Sequence, residues 1–250
     1  MTYALEVKGL SVSYGRGPVV NKMSFALDKG DLVGIVGPNG AGKSSLIKAM
    51  VGALTPDEGS IRVGGDSGKK ATRRITYVPQ RGEVDWDFPV TVEDVVTQGR
   101  YGKVGLLGRF GAEDRRLIAE AIDLVGIGEL KSRQIGELSG GQQQRVFLAR
   151  ALAQQGDIYL LDEPLVGVDA ATESAIVEVL RNLGDAGKTV MVVHHDLSTA
   201  REYFDKILLM NKERIAFGPV DEVFTPQLLQ KTYGGRLTVL GSGSVAVMAD

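Results

Sequence analysis

The strongest constraint on the fold of this chain is a glycine-rich stretch at positions 37–44. It consists of Gly37-Pro38-Asn39-Gly40-Ala41-Gly42-Lys43-Ser44. This matches the pattern of a phosphate-binding loop, in which glycines are followed by a lysine and a hydroxyl residue. The apolar run at 31–36 predicts a buried strand before the loop, and the spacing of apolar residues at 45–51 predicts a helix after it. The sequence therefore predicts the strand, loop and helix of a nucleotide-binding core.

Each position in this loop has a chemical reason to be there. The glycines let successive backbone N–H groups point inward, and the start of the following helix adds partial positive charge, so phosphate oxygens find donors. Lys43 is expected to reach the β- and γ-phosphates, and the Ser44 hydroxyl to complete the ligand shell of a Mg²⁺ ion. The predicted nucleotide contacts are residues 37–44 together with Ser45, and the predicted cofactors are ATP and Mg²⁺.

Composition excludes several classes of protein. The 29 Lys and Arg residues are balanced by 31 Asp and Glu residues, so no basic field favours nucleic acid as a partner. The chain has no cysteine, which rules out disulfides and thiolate metal sites. We find no signal-peptide pattern and no run near the ~18 apolar residues of a membrane span. The sequence predicts a cytoplasmic protein that touches a membrane only through a partner.

Strand and helix patterns alternate along the chain and predict an α/β fold with a mostly parallel sheet. Short strand-like segments at 5–8 and 19–27 predict a small N-terminal antiparallel β-subdomain. Between 81 and 155 the pattern becomes helical, with apolar stripes at 113–125 and 142–154, which predicts a helical subdomain at about 90–155 inserted into the core. We expect one domain over 1–240 and a flexible tail at 241–250.

Two further motifs carry chemistry. Asp162 and Glu163 follow a predicted buried strand, where the first can hold Mg²⁺ through water and the second can orient an attacking water. Ser139-Gly140-Gly141-Gln142 matches a capping box, so it predicts a second helix start able to bind an anion. One nucleotide can use both helix starts if two copies of the chain pack head to tail about a twofold axis.

Three residues have more than one interpretation from the sequence. Tyr14 is equally suited to half-burial in a strand and to stacking on an adenine, since every base offers a face to an aromatic ring. His194 and His195 are adjacent, and neighbours on a strand point to opposite faces, so they are not expected to ligate one metal ion. We expect one buried, hydrogen-bonded histidine and one histidine at the γ-phosphate.

The motifs, in this order, resemble those of the ATP-binding-cassette family. The resemblance rests on the phosphate loop, on Leu138-Ser139-Gly140-Gly141-Gln142 and on Leu160-Leu161-Asp162-Glu163-Pro164, and it extends over about 4–233. It implies the fold of that family and an ATPase that dimerises around two ATP molecules. Residues 138–142 of one subunit would then meet the phosphate loop of the other. A GTPase or kinase of another phosphate-loop class would have no reason to contain 138–142.

The resemblance also implies roles for single residues. Tyr14 matches the adenine-stacking aromatic, and Gln80 matches the glutamine that senses both Mg²⁺ and the membrane partner. Glu163 matches the catalytic base and His195 the switch histidine. Asp169 matches the carboxylate at the dimer interface, although Val166-Gly167-Val168 precedes it where many members have Ser-Ala-Leu. The implied magnesium ligands are Ser44, Gln80 and Asp162.

Two function classes fit a cassette ATPase: the energy-coupling subunit of a membrane transporter, and a soluble ATPase that acts on a macromolecule. Soluble members usually carry two cassettes or a coiled-coil insert, and this chain has neither, so the transporter is favoured. Segments 82–92, 167–170 and 193–197 are similar to those of bacterial manganese, zinc and iron importers. We therefore expect a metal importer, with manganese favoured.

The resemblance implies partners as well. They are a second copy of the chain, integral membrane permease subunits and, indirectly, an extracytoplasmic metal-binding protein, which would place the chain on the cytoplasmic face of the membrane. Trp86 and Phe88 lie just after Gln80, where family members dock a short helix of the membrane subunit. Aromatics in a polar segment that contains proline are more often local core than interface, so from the residues alone the two roles are about equally plausible. The resemblance favours a contact with the membrane partner.

Overall fold

The computed structural model describes residues 2–15, 17–83, 86, 88–105, 108–234, 237–240 and 244–247. The strands are β1 Leu5–Ser13, β2 Pro18–Leu27, β3 Leu32–Val36, β4 Glu58–Val63, β5 Asp66–Ser67, β6 Ile75–Val78, β7 Ile158–Leu161, β8 Thr189–Val193, β9 Lys206–Asn211, β10 Glu213–Pro219, β11 Leu237–Leu240 and β12 Ser244–Val247. The helices are α1 Lys43–Met50, α2 Gly68–Thr72, α3 Val92–Val104, α4 Ala112–Leu124, α5 Gly140–Gln154, α6 Ala170–Asp185, α7 Ala200–Tyr203, α8 Val220–Val223 and α9 Pro226–Tyr233.

The centre of the fold is a six-stranded sheet in the order β10-β9-β3-β8-β7-β6. All neighbouring pairs are parallel except β9 and β10, which form an antiparallel hairpin. Strands β3, β7 and β8 are buried along their whole length. Such continuous apolar strands are expected in a parallel sheet that is covered on both faces. The predicted mostly parallel sheet is confirmed.

A second sheet has four strands in the order β2-β1-β4-β5, and all its pairings are antiparallel. Its apolar residues share one core cluster with β3 and α1. Within that cluster Phe25 of β2 lies 5.8 Å from Phe217 of β10, centroid to centroid. The antiparallel sheet therefore packs beside the strand and helix that flank the phosphate loop, as the sequence predicted.

Helices α3, α4 and α5 are inserted between β6 and β7, which confirms the helical character predicted for this part of the chain. Helices α3 and α5 cross closely, because a Cβ on Gly99 would lie 2.3 Å from the carbonyl oxygen of Arg150. Arg100 of α3 donates to Asp114 of α4 and to the carbonyl oxygen of Ala153 of α5, both over 2.9 Å. One buried guanidinium thus joins all three helices.

The carboxyl-terminal part differs from the prediction in one respect. Residues 220–233 form two helices divided at Pro226, as expected, and Thr225 caps the second. Residues 241–250 were expected to be a flexible tail, but Ser244–Val247 is a strand that pairs antiparallel with Leu237–Leu240. Half of the residues in each segment are β-branched, a composition that favours strands and that the neighbouring glycines obscure in the sequence. The remaining positions, 241–243 and 248–250, lie outside the described residues.

No helix in the described part of the chain is both long enough and apolar enough to cross a membrane.

Candidate active site

The phosphate loop joins β3 to α1, so the predicted order of strand, loop and helix is confirmed. Two of its glycines are required by close packing. A Cβ on Gly37 would lie 2.1 Å from the carbonyl oxygen of Met210, and one on Gly42 would lie 2.2 Å from that of Val19. Gly42 also has a φ of 90°, a backbone conformation that residues other than glycine rarely adopt.

Lys43 begins α1 but turns its side chain back into the loop. Its Nζ donates to the carbonyl oxygens of Gly37 and Pro38 over 2.7 and 2.9 Å, and the residue is buried. Burial lowers the pKa of this amine, while the charges of Glu163 and Asp162 act in the opposite direction. The amine is therefore held at the loop with two carboxyl groups nearby.

A cleft of about 250 Å³ opens over the loop. Its lining consists of Val19, Asn39, Gly40, Ala41, Gly42, Lys43, Ser44, Ser45 and Glu163. Most of the nucleotide contacts predicted from the sequence thus surround one cavity, and Glu163 reaches it from a distant part of the chain. Backbone N–H groups, an amine and two hydroxyls make this lining suitable for a polyphosphate.

Asp162 and Glu163 lie directly after β7, at the carboxyl edge of the parallel sheet. Asp162 is fully buried, and its backbone N–H donates to the carbonyl oxygen of Val78 on β6 over 2.9 Å. Glu163 has a φ of 55°, which is uncommon for a residue with a side chain. Backbone conformations of this kind are concentrated at functional sites.

Two side chains hold the carboxylate of Glu163. Gln80 Nε2 donates to its Oε2 over 2.7 Å, and His195 Nε2 lies 2.5 Å from its Oε1. The three residues follow β6, β7 and β8, which are neighbours in the sheet. Ligands of open parallel sheets bind outside the carboxyl ends of the strands, which is where this triad and the phosphate loop meet.

The two adjacent histidines face different surroundings, as the sequence predicted. His194 is buried, and its Nε2 lies 2.8 Å from Thr199 Oγ1, whereas His195 is about one-third exposed and reaches Glu163. Burial lowers the pKa of His194. Within the described residues, no group of three or more His, Cys, Asp or Glu side chains could hold a metal ion.

Tyr14 is not a strand aromatic, because β1 ends at Ser13 and the Tyr14 side chain is 57% exposed. The alternative of a half-buried strand residue is therefore wrong. The Tyr14 hydroxyl lies 3.4 Å from Ser45 Oγ, close to the cleft over the phosphate loop. An exposed ring at this place is free to stack on a base.

The predicted capping box at the start of α5 is confirmed. Ser139 Oγ accepts a hydrogen bond from the backbone N–H of Gln142 over 3.4 Å, and Gln142 Oε1 accepts one from the N–H of Ser139 over 2.9 Å. Leu138 is buried, while Ser139 is exposed and Gly140 half-buried. The helix start is therefore formed and open to solvent in the single chain.

Arg81 connects this helix to Gln80 and was not singled out in the sequence. Its guanidinium donates twice to Gln143 Oε1, over 3.2 and 3.0 Å, and a Cβ on Gly140 would lie 2.7 Å from its Nη1. Gln143 in turn donates to the carbonyl oxygen of Ile135. Arg81, the neighbour of Gln80, therefore contacts the start of α5, where the 138–142 motif lies. No local pattern identifies such a contact across 62 positions of the chain.

Asp169 is the N-cap of α6. Its carboxylate accepts hydrogen bonds from the backbone N–H and the hydroxyl of Thr172, over 2.9 and 2.8 Å. The backbone bond is the larger cause that lowers the pKa of Asp169. The residue is exposed, so its predicted place at a dimer interface stays a prediction.

The two aromatics after Gln80 differ sharply. Trp86 packs edge-on against Phe147 of α5 at 5.2 Å between centroids, and its indole N–H donates to the carbonyl oxygen of Arg81 over 2.9 Å. This packing favours local core for Trp86. Phe88 is 59% exposed, and its predicted contact with a membrane partner stays a prediction. Neighbouring positions 84, 85 and 87 lie outside the described residues.

The residues implied for magnesium fit that ion. Asp162 supplies carboxylate oxygens, Ser44 a hydroxyl and Gln80 an amide oxygen, and hard cations such as Mg²⁺ prefer these donors. Asp162 is fully buried beside Lys43, with which it interacts electrostatically. Mg²⁺ in nucleotide sites commonly takes its remaining ligands from water and substrate phosphates, so a small set of protein donors is sufficient.

Comparison with known proteins defines the family. The family model described as ABC transporter matches residues 20–166. The chain is 54% identical over 238 residues to the manganese transport system ATP-binding protein MntB of Bacillus subtilis, covering 95% of each chain. It is 52% identical over 236 residues to the zinc transport system ATP-binding protein TroB of Treponema pallidum, covering 94% of this chain and 89% of that protein.

A solved ATP-binding subunit of an ABC transporter superposes with a TM-score of 0.77 at 27% identity, covering 93% of this chain and 94% of the other. The fold and the site together define a phosphate-loop ATPase with an inserted helical segment. This chain belongs to the ABC transporter family.

Proposed function

We propose that this chain is the ATP-hydrolysing, energy-coupling subunit of a membrane importer for a divalent metal ion, with manganese the favoured substrate. The observation that carries the hydrolytic part is the position of Glu163, which lines the phosphate-loop cleft while Gln80 and His195 hold its two oxygens. The metal substrate is supported by the relatives, which are named for manganese or zinc transport.

The proposed reaction is in-line attack of water on the γ-phosphate of ATP, in which the bond from the γ-phosphorus to the bridging oxygen breaks and ADP leaves with phosphate as the second product. Backbone N–H groups of the loop and Lys43 bind the phosphates, and Glu163 orients the attacking water and accepts its proton. His195 contacts the γ-phosphate, and Gln80 senses both Mg²⁺ and the membrane partner. Ser44, Asp162 and Gln80 would hold Mg²⁺, which when bound neutralises charge on the β- and γ-phosphates.

Two copies of the chain complete each site in this proposal. Tyr14 stacks on the adenine, and residues 138–142 of the second copy close over the γ-phosphate of the first. Support comes from the exposed helix start at Ser139, which lies in the helical segment rather than at the phosphate loop. Asp169, exposed at the start of α6, would contact the other copy.

Membrane permease subunits are the proposed partners, with an extracytoplasmic metal-binding protein beyond them, and the chain would sit on the cytoplasmic face of the membrane. The metal path would lie in the permease. In agreement with this, the chain has two histidines and no cysteine. Docking near Gln80 would link the permease to Glu163 through the Gln80 hydrogen bond and to α5 through Arg81.

The docking proposal predicts different results for the two aromatics. Phe88→Ala should leave folding and the ATPase activity of the isolated chain unchanged, but release the chain from membranes, because aromatic anchors commonly contribute about 2 kcal/mol or more to an interface. Trp86→Ala should instead destabilise the fold by roughly 1–3 kcal/mol, since it removes the ring contact with Phe147. Thermal unfolding and membrane fractionation of both variants measure this, and a Phe88→Ala chain that stays membrane-bound and supports transport would contradict the docking site.

Metal accumulation in cells tests the proposed function. Deleting the gene should reduce manganese uptake at limiting concentrations, and the wild-type gene should restore it. Lys43→Ala should not restore it, because loss of the amine removes a charge-assisted contact with the phosphates. Competition by zinc and by iron determines the order of preference. Unchanged accumulation of all three metals in the deletion strain would overturn the importer assignment.

A further inference from the structure

The loop 194–199 between β8 and α7 carries His195, and the structure closes this loop at both ends. At its start the backbone N–H of His194 donates to the carbonyl oxygen of Ile35 over 3.0 Å, which keeps that residue attached to β3. Its end is tied to its start by the contact of 2.8 Å between His194 Nε2 and Thr199 Oγ1. His195 therefore lies inside a closed segment.

His194 is fixed by its surroundings as well. It is only 4% exposed, its ring lies edge-on to Phe204 at 5.2 Å, and Tyr203 lies 5.9 Å away. Thr199 Oγ1 also donates to the carbonyl oxygen of Asp196 over 3.4 Å. The backbone of Asp196 also forms a hydrogen bond with His194, and the tautomer of the imidazole decides whether Nε2 donates to Thr199 Oγ1 or accepts from it. Loss of a hydrogen-bond partner by a buried polar group is costly, so the contact between His194 and Thr199 resists displacement.

A second set of bonds stiffens the interior of the loop. Asp196 Oδ1 accepts hydrogen bonds from the backbone N–H and the hydroxyl of Ser198, over 2.8 and 2.6 Å. Neighbouring side chains in extended backbone point to opposite sides. His194 lies against Phe204 and Thr199, whereas the next residue, His195, lies against Glu163, with 2.5 Å between His195 Nε2 and Glu163 Oε1.

We propose that the hydrogen bond between His194 and Thr199 positions His195 for hydrolysis. His194 and Thr199 act through His195 and touch neither the nucleotide cleft nor Glu163 in the described contacts, so both are positioning residues. The inference rests on the proposed function, because it takes His195 to act at the γ-phosphate. It adds His194 and Thr199 to the residues on which that site depends.

Thr199→Val tests this with a side chain of the same shape that lacks the hydroxyl, and Thr199→Ser is the matched control that retains it. Small misplacements of catalytic groups can cost up to about 10² in rate, and here we expect Thr199→Val to lower kcat about ten-fold with little change in KM for ATP. Thr199→Ser should stay within about two-fold of the wild type. Thr199→Ala, which fits without a clash, should repeat the loss if Thr199→Val folds poorly.

Nuclear magnetic resonance separates positioning from general damage, because the chain has only two histidines and their imidazole signals can be assigned by substitution. The His195 signal should change on Glu163→Gln, as its contact is altered. Thr199→Val and Thr199→Ala should change it as well, and Thr199→Ser should not. The same spectra measured over a range of pH follow the imidazole signals of both histidines. The ionisable neighbours of His194 are Asp196, His195 and Tyr203.

A double-mutant cycle provides the kinetic counterpart. If Thr199 acts through His195, Thr199→Val should cause no further loss of kcat in a His195→Ala background. Additive losses, or an unchanged His195 signal with unchanged kcat in both Thr199 variants, would overturn the proposal. A wild-type chain without ATPase activity would refute the proposed function instead, and the resonance measurements would still test whether Thr199 orients His195.

Discussion

Glu163→Gln is expected to slow ATP hydrolysis by about 10²- to 10⁴-fold, because removal of a general base commonly costs that much. ATP binding should persist, since the phosphate loop and Lys43 are unchanged. The amide has the same shape as the carboxylate, so the positive φ of Glu163 and the contacts with Gln80 and His195 place no steric demand on the substitution. The substitution removes the group that accepts a proton from water, and it alters one of the two contacts, because one oxygen that faces Gln80 or His195 becomes an amide N–H group.

Turnover and nucleotide affinity must be measured on the same preparation. Phosphate release gives turnover, and a fluorescent ATP analogue gives affinity. Glu178→Gln is a suitable control, because Glu178 is an exposed carboxylate on α6 away from the site. Near-normal turnover in Glu163→Gln would refute the role of Glu163, and equal losses in both variants would point to a general electrostatic effect.

Ser139→Arg is expected to abolish the ATP-dependent dimer. In the proposed arrangement the start of α5 meets the γ-phosphate bound by the other copy, and a long side chain there would obstruct that contact. Within its own chain the change removes only the cap of α5, where Ser139 accepts a hydrogen bond from the N–H of Gln142. Loss of such a cap costs about 1 kcal/mol, so the monomer should remain folded.

Light scattering of the Glu163→Gln protein, with and without ATP, measures this effect. The hydrolysis-deficient protein should be monomeric without ATP and dimeric with it, and the added Ser139→Arg should keep it monomeric. Ser139→Ala is the control, because it removes the cap hydrogen bond without adding bulk. An equal ATP-dependent dimer in the Ser139→Arg protein would contradict the trans arrangement.

Much of the core was predictable because the segments with the strongest local patterns are also the ones that are buried in the fold. The apolar run before the phosphate loop became β3 at Leu32–Val36, and the stripe at 142–154 became α5. Helix α3 was not singled out, since Gly99 and Gly102 interrupt its apolar pattern. A signal was nevertheless present, because Thr91 and Asp94 form a capping box at its start.

The site was predictable where one segment carries the chemistry and not where separate segments meet. The phosphate loop and the capping box of Ser139 follow from local sequence. The hydrogen bond from Gln80 to Glu163 joins residues 83 positions apart, so no local pattern predicts it without the family resemblance. Trp86 shows the same limit, because its place against Phe147 depends on how α5 packs.

Metal uptake and ATP hydrolysis, measured together in vesicles that contain the complete transporter, test the central claim most directly. With ATP on the side of this chain, the wild-type complex should move manganese and release phosphate, and Glu163→Gln should lose both by similar factors. Continued manganese uptake at the wild-type rate when Glu163→Gln has stopped hydrolysis would contradict the claim that this site drives transport.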